Sequence, residues 1–235
     1  MNRESSARLS ISMFFPLFNE EANVRSTATR AIAALEKLGC EFEVILVNDG
    51  STDRTREIAE EIASSDTRVR CVSHPQNRGY GAALRTGFSS AKLDLVAFAD
   101  GDGQFDPAEI SLLLNAVDEN DMVVGYRISR ADAWHRTLNA RAWSTLMGVL
   151  FGVWPKDLDC GFKLFRREVV QSLELESNGA FISTELLAKA KKAGFRIGQI
   201  GVNHYPRAVG TSTGANLLVI VKAFYELLVY WRRLR

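Results

Sequence analysis

The chain has 235 residues, of which 46% are hydrophobic and 24% charged, with a formal net charge of +1. That length suits one large α/β domain with a sizeable core, and the near-neutral balance gives no electrostatic reason to expect nucleic acid as a partner. Three cysteines, Cys40, Cys71 and Cys160, are too scattered for a CxxC metal site and odd in number for a disulfide framework, which points to a reducing, cytoplasmic setting.

Met1 to Ser10 is polar, so no signal peptide is expected. Ile11 to Leu17 reads as a strand and Ala22 to Leu38 as a helix closed by Gly39. A second strand, Phe42 to Val47, precedes a helix over Thr52 to Ser64 that a Ser/Thr/Asp cluster begins. Val69 to Ser73 is a third strand, Tyr80 to Ser90 a helix, and Leu93 to Ala99 a fourth strand. Pro107 to Asp118 is read as helical with Asp106 as its cap, and Asp121 to Gly125 as strand-like. Strands alternating with helices predict a mostly parallel, doubly wound sheet with helices on both faces and binding groups at the carboxyl ends of the strands.

Polar clusters follow three of those strands. Pro16-Leu17-Phe18-Asn19-Glu20 ends the first, Asn48-Asp49-Gly50-Ser51-Thr52-Asp53 the second, and Asp100-Gly101-Asp102-Gly103-Gln104 the fourth. Each alone is an ordinary capping turn. Together they put acidic and aromatic groups around one crevice, as a nucleotide site needs. Asp100 and Asp102, spaced i, i+2, would leave a strand on the same face, and two hard carboxylates suit Mg²⁺ or Mn²⁺ with water and phosphate as the other ligands.

These clusters, with Asn77-Arg78-Gly79-Tyr80-Gly81-Ala82-Ala83, resemble in order and spacing the family 2 glycosyltransferases of GT-A fold. Gly125-Tyr126-Arg127, Asp157-Leu158-Asp159-Cys160-Gly161-Phe162-Lys163 and the Glu185…His204-Tyr205-Pro206-Arg207…Gly210 segment resemble the branch of dolichyl-phosphate mannose synthase and bacterial polyprenyl-phosphate sugar synthases. The resemblance covers residues 10–215. It implies one GT-A domain over 1–215, followed by a helix over 216–235. It further implies that Pro16, Phe18, Glu20 and Asp49 line a nucleobase pocket, and that Asp100 and Asp102, with Gln104 nearby, hold the metal on the donor diphosphate. Asn77 to Gly87 either lies beside the donor or is plain helix packing.

The implied activity is inverting transfer of a hexose from a nucleotide sugar, GDP-mannose or UDP-glucose in type, to a polyprenyl phosphate. A lipid phosphate is already an anionic nucleophile, so it needs fixed cations rather than a strong base. Arg127, Arg136 and Arg207 match the arginines of that branch. A hydroxyl acceptor would need a carboxylate base instead; Thr184-Glu185 lacks the expected acidic pair, and Asp157 and Asp159 are the stand-ins. The chain departs from the pattern at Asn48, where an aspartate is usual, at Ala140, and at Thr211-Ser212-Thr213.

Two stretches bear on membranes. Trp143 to Trp154 is apolar but too short to span. Leu217 to Trp231 puts Leu217, Val221, Phe224, Leu228 and Trp231 on one helical face and ends in Arg232, Arg233 and Arg235, which fits either an interfacial helix or one packed on the domain, in a dimer or on a membrane-protein partner. Peripheral attachment to the cytosolic face is the expectation. Nucleotidyl transfer would want a Gly-rich basic loop after the first strand, which Pro16 to Glu20 is not. A non-catalytic nucleotide-sugar-binding subunit is the remaining alternative, and the intact Asp100 and Asp102 argue against it.

Overall fold

The structure, a computed structural model, describes residues 9–128 and 144–207, together with Leu227. Expectations that fall on Arg136, Ala140, Thr211 to Thr213 and the face from Leu217 to Trp231 lie outside these residues, except for Leu227.

Alternate residues of the first strand, β1 (Ser10–Leu17), point to opposite faces, and both are buried. Ile11, Met13, Phe15 and Leu17 enter one core cluster, whereas Phe14 enters the other. The same division holds in β2 (Glu41–Asn48), where Val44 and Leu46 face away from Ile45 and Val47, and in β4 (Leu95–Ala99), where Leu95, Ala97 and Ala99 face away from Val96 and Phe98. Strands apolar on both sides require a helix layer on each. The first layer is α1 (Val24–Leu38), α2 (Thr55–Ser65) and α4 (Ile110–Leu114). The second is α3 (Tyr80–Ser90), α6 (Arg167–Ser172) and α7 (Ile182–Lys192), joined by Met147 of α5 (144–151) and by Leu227.

With β3 (Val69–Ser73), β5 (Met122–Arg127), β6 (Phe162–Arg166) and β7 (Ile197–Val202), the strands form one seven-stranded sheet of order β3-β2-β1-β4-β6-β5-β7. β6 alone is reversed, pairing antiparallel with both β4 and β5. The remaining pairs are parallel. The carboxyl ends of six strands and the start of β6 therefore meet at one edge.

Most predicted elements occur within a few residues of their expected bounds. Gly39 ends α1 at φ 66° as the glycine position requires, and Asp106 accepts the Ala108 N–H. The expected helix over Pro107 to Asp118 is shorter: a 3₁₀ turn at Pro107–Glu109 leads into α4, which stops at Leu114. The elements from β6 to β7 were not expected from the sequence.

Candidate active site

The loops after β1 and β2 are laced together at the carboxyl edge. Asn19 adopts a left-handed φ of 56°, which Asn tolerates, and its Oδ1 accepts the Thr52 N–H at 2.8 Å. The Asn19 N–H donates to Ser51 Oγ at 3.0 Å, and the Glu20 N–H donates to Thr55 Oγ1 at 2.7 Å. Asn48 uses the two ends of its amide differently. Oδ1 accepts the Ser51 N–H, and Nδ2 donates to Ser73 Oγ at 3.3 Å. An aspartate could not donate here and would instead have to accept from the Ser73 hydroxyl.

Asp49 is 3% exposed. Its Oδ1 accepts the Arg78 N–H at 2.9 Å and lies 2.6 Å from His74 Nδ1, while Oδ2 accepts the Gly79 N–H at 2.9 Å. The carboxylate thus anchors the segment that leads into α3. Gly79 is required there: its φ is 97°, and a Cβ would sit 2.3 Å from the Asn178 carbonyl oxygen. The Asn77 to Gly87 motif is in this respect close packing of α3 on its neighbours.

β4 stops at Ala99, so Asp100 and Asp102 stand in the turn beyond it rather than on a continuing strand. The Asp100 N–H donates to the Gly161 carbonyl and its Oδ1 accepts the Tyr80 hydroxyl at 2.8 Å. Gly161 leaves room for this carboxylate, because a Cβ there would lie 1.9 Å from Oδ2. Asp102 Oδ1 accepts the Gln104 N–H at 3.1 Å, and the Gln104 side chain donates to the Tyr205 carbonyl at 3.0 Å.

Burial and then the Asp102 charge push Asp100 up to about 7, against the opposing pull of Tyr80, Lys163 and Arg127. A buried carboxylate beside a second one is relieved by a divalent cation, and the donor set fits one. Asp100, Asp102 and the Gln104 amide oxygen are hard oxygen donors that would leave positions for water and phosphate. Among the described residues, no group of three or more His, Cys, Asp or Glu forms an all-protein cage.

Glu20 faces the same turn. Its Oε2 accepts from Asn23 Nδ2 at 2.7 Å, and its Oε1 pairs with the Arg207 guanidinium, which arrives from the segment after β7. Burial raises the Glu20 pKa, although Asn23 and Arg207 pull it down. Pro16 is buried within β1 and Phe18 is exposed at the edge. Arg127 ends β5 with its guanidinium bidentate on Asp157, at 2.6 Å from Nε to Oδ2 and 2.9 Å from Nη2 to Oδ1. Burial would lower the Arg127 pKa, but the Asp157 hydrogen bonds and charge raise it well beyond its ordinary value.

Several residues take roles that no motif assigns them. His74 follows β3 at the same edge as Asp49, and that position is its signal in the sequence. Tyr80 enters only as part of a motif. Glu185, 0% exposed, accepts the Glu176 and Ser177 N–H groups on its two oxygens and pairs with Lys189 at 2.8 Å, so it anchors the loop against which α3 packs. Lys163 is 1% exposed, its ammonium bonded to the Cys160 carbonyl and 5.3 Å from the centre of the Phe98 ring.

A family model for glycosyl transferase family 2 matches residues 12–173. Among curated proteins, the chain is 32% identical over 220 residues to an undecaprenyl-phosphate 4-deoxy-4-formamido-L-arabinose transferase of Edwardsiella ictaluri, covering 92% of this chain and 66% of that protein. It is 32% identical over 209 residues to a dodecaprenyl-phosphate galacturonate synthase of Rhizobium johnstonii, covering 87% and 61%. The chain spans at most about two thirds of the length of these relatives. Among solved structures, glucosyl-3-phosphoglycerate synthase of Mycobacterium tuberculosis, in complex with Mn²⁺, UDP-glucose and phosphoglyceric acid, superposes with a TM-score of 0.74 at 21% identity, covering 96% of this chain and 80% of the other. Mannosyl-3-phosphoglycerate synthase of Rubrobacter xylanophilus gives 0.76 at 19% identity, covering 96% and 75%. At such identities the last two comparisons establish the shared fold.

Proposed function

We propose that this chain, which belongs to glycosyl transferase family 2, transfers a hexose from a nucleotide sugar to a polyprenyl phosphate with inversion at the anomeric carbon. The observation that carries the reading is the pairing of Asp100 and Asp102 in one turn, with burial and mutual repulsion raising Asp100 to about 7. Mg²⁺ or Mn²⁺ held by Asp100 and Asp102, with Gln104 at hand, would neutralise the charge that grows on the departing nucleoside diphosphate. Pro16, Phe18 and Glu20 would border the base. Asp49 Oδ2 accepts the Gly79 N–H and has a second lone pair, which a base N–H could use.

The acceptor half of the reading rests on which carboxylates are engaged. Hydroxyl acceptors need a general base within reach of the proton they lose. Glu185 is sealed in by two backbone N–H groups, and both Asp157 oxygens are taken by Arg127. This disfavours Glu185 and Asp157 as bases and leaves Asp159 as the stand-in, while the names of the Edwardsiella ictaluri and Rhizobium johnstonii relatives describe an acceptor that arrives as an anion. Arg207, Arg127 and Arg136 are the cations proposed to meet it.

Membrane contact is proposed to be peripheral, on the cytosolic face. Among the described residues no helix is long and apolar enough to cross a bilayer. Val149 and Trp154, 69% and 61% exposed, offer apolar side chains suited to the headgroup region. A membrane-protein partner or a second copy of the chain remains part of the proposal.

The test is a panel of GDP-mannose, UDP-glucose and related donors with a short polyprenyl phosphate and Mg²⁺ or Mn²⁺, following chloroform-extractable sugar. Label that enters the lipid phase and is lost with EDTA is expected. Donor hydrolysis without lipid product would overturn the acceptor assignment.

A further inference from the structure

Tyr80 opens α3 from a backbone that is held on both sides. Before it, the Arg78 and Gly79 N–H groups donate to Asp49. After it, the Gly81 N–H donates to the Asn178 carbonyl at 2.9 Å. The Tyr80 ring packs against the second core cluster, and its hydroxyl crosses to the end of β4, 2.8 Å from Asp100 Oδ1. The opposite oxygen of the same carboxylate rests over Gly161, where a Cβ would come within 1.9 Å. Asp100 is therefore clamped between a phenol and a bare Cα. Asp102, one turn residue away, has no such clamp among the described residues and accepts the Gln104 N–H.

A carboxylate that binds a metal gains when a hydrogen-bond donor fixes its orientation, since the freedom it would otherwise lose on binding is already gone. Neither the base pocket nor the arginines explain why the side chain at this position ends in a hydroxyl aimed at Asp100.

We propose that Tyr80 is a positioning residue that holds the Asp100 carboxylate in the orientation a divalent cation requires, through a segment itself anchored on Asp49. The proposal rests on the reading of Asp100 and Asp102 as metal ligands.

The test is a Mn²⁺ titration of the full chain, with no nucleotide present, read by the electron paramagnetic resonance of free Mn²⁺. Wild type, Tyr80→Phe and Asp102→Ala are compared, and melting temperatures are recorded in EDTA. Tyr80→Phe is expected to weaken Mn²⁺ binding by about tenfold or more, with a melting temperature close to that of the wild type. Asp102→Ala should abolish the site. If Tyr80→Phe bound Mn²⁺ as tightly as wild type while Asp102→Ala did not, the role of Tyr80 would be overturned and the metal site would stand. Wild-type chain that bound no Mn²⁺ would overturn both. A Tyr80→Phe chain that melted far below wild type in EDTA would also overturn the proposal, because the hydroxyl would then be holding the fold.

Discussion

His74 and Asp49 form a buried pair at the carboxyl edge of the sheet, with Nδ1 2.6 Å from Oδ1, and Nε2 lies 2.9 Å from Thr86 Oγ1. The imidazole bridges the carboxylate at the end of β2 to the middle of α3, while that carboxylate holds the Arg78 and Gly79 N–H groups. His74→Phe keeps a ring in place but leaves Asp49 and Thr86 each short of a partner. A buried polar group left unsatisfied costs about 1–3 kcal/mol. We expect urea denaturation to show a loss of that size, together with weaker nucleotide binding as the Asn77 to Tyr80 segment loosens. An unchanged midpoint would show that the pair contributes nothing to the edge.

Glu43 gives the stability of the sheet a defined dependence on pH. Burial alone would raise its pKa, but the Ser12 hydroxyl, the Arg70 guanidinium and the Lys92 N–H outweigh burial and hold it below its ordinary value of 4.5. The folded chain therefore binds fewer protons here than the unfolded chain. The contribution is fully present above the ordinary carboxylate value and is lost as pH falls through the lower folded value. Glu43→Gln should destabilise the chain at neutral pH by about 1–2 kcal/mol, and the difference from wild type should shrink below pH 4.5. Melting curves from pH 7 down to pH 3 check this, and a difference that stayed constant over the range would exclude the linkage.

The Arg127–Asp157 pair is almost wholly removed from solvent, with side chains 12% and 3% exposed. Breaking such a pair by neutralising one partner leaves a buried charge alone and costs about 3–5 kcal/mol. Asp157→Asn is expected to lose stability on that scale in denaturant titrations. Little loss of stability would show that the Asp157 pairing does not hold the Arg127 guanidinium in the place from which it is proposed to meet the acceptor.

The first half of the fold was readable because β1, β2 and β4 are apolar on both faces and helical patterns separate the strands. The second half obeys different physics. Phe162–Arg166 carries Lys163 at a buried position, so its pattern does not mark it as a strand, and nothing in a strand–helix alternation foretells a reversed strand between β4 and β5. The site divides in the same way. Aspartates and glycines at strand ends declare themselves through residue type, and so Asp49, Asp100 and Asp102 stand out in the sequence as candidates. His74 and Tyr80 act through partners far away in the chain, Asp49 and Asp100, and only tertiary contacts disclose those.

Arg207 gives the sharpest test of how donor and acceptor are divided. Its guanidinium pairs with Glu20, which borders the proposed base pocket, yet it arrives on the segment after β7, beside the Tyr205–Gln104 pairing that reaches the Asp102 turn. An arginine in that place can answer to either substrate. If it receives the lipid phosphate, Arg207→Ala removes a cation that the anionic nucleophile needs, and acceptor KM should rise by about tenfold or more, the scale of one charge-assisted hydrogen bond. Donor binding should change less, because Glu20 keeps its bond to Asn23. Arg207→Lys should recover only part of the loss, since an ammonium cannot bind Glu20 and phosphate with the fixed geometry of a guanidinium. Steady-state kinetics in both substrates, with nucleotide titration as a separate readout, distinguish the cases. An equal loss of donor and acceptor would put Arg207 on the diphosphate and leave Arg127 and Arg136 to receive the acceptor.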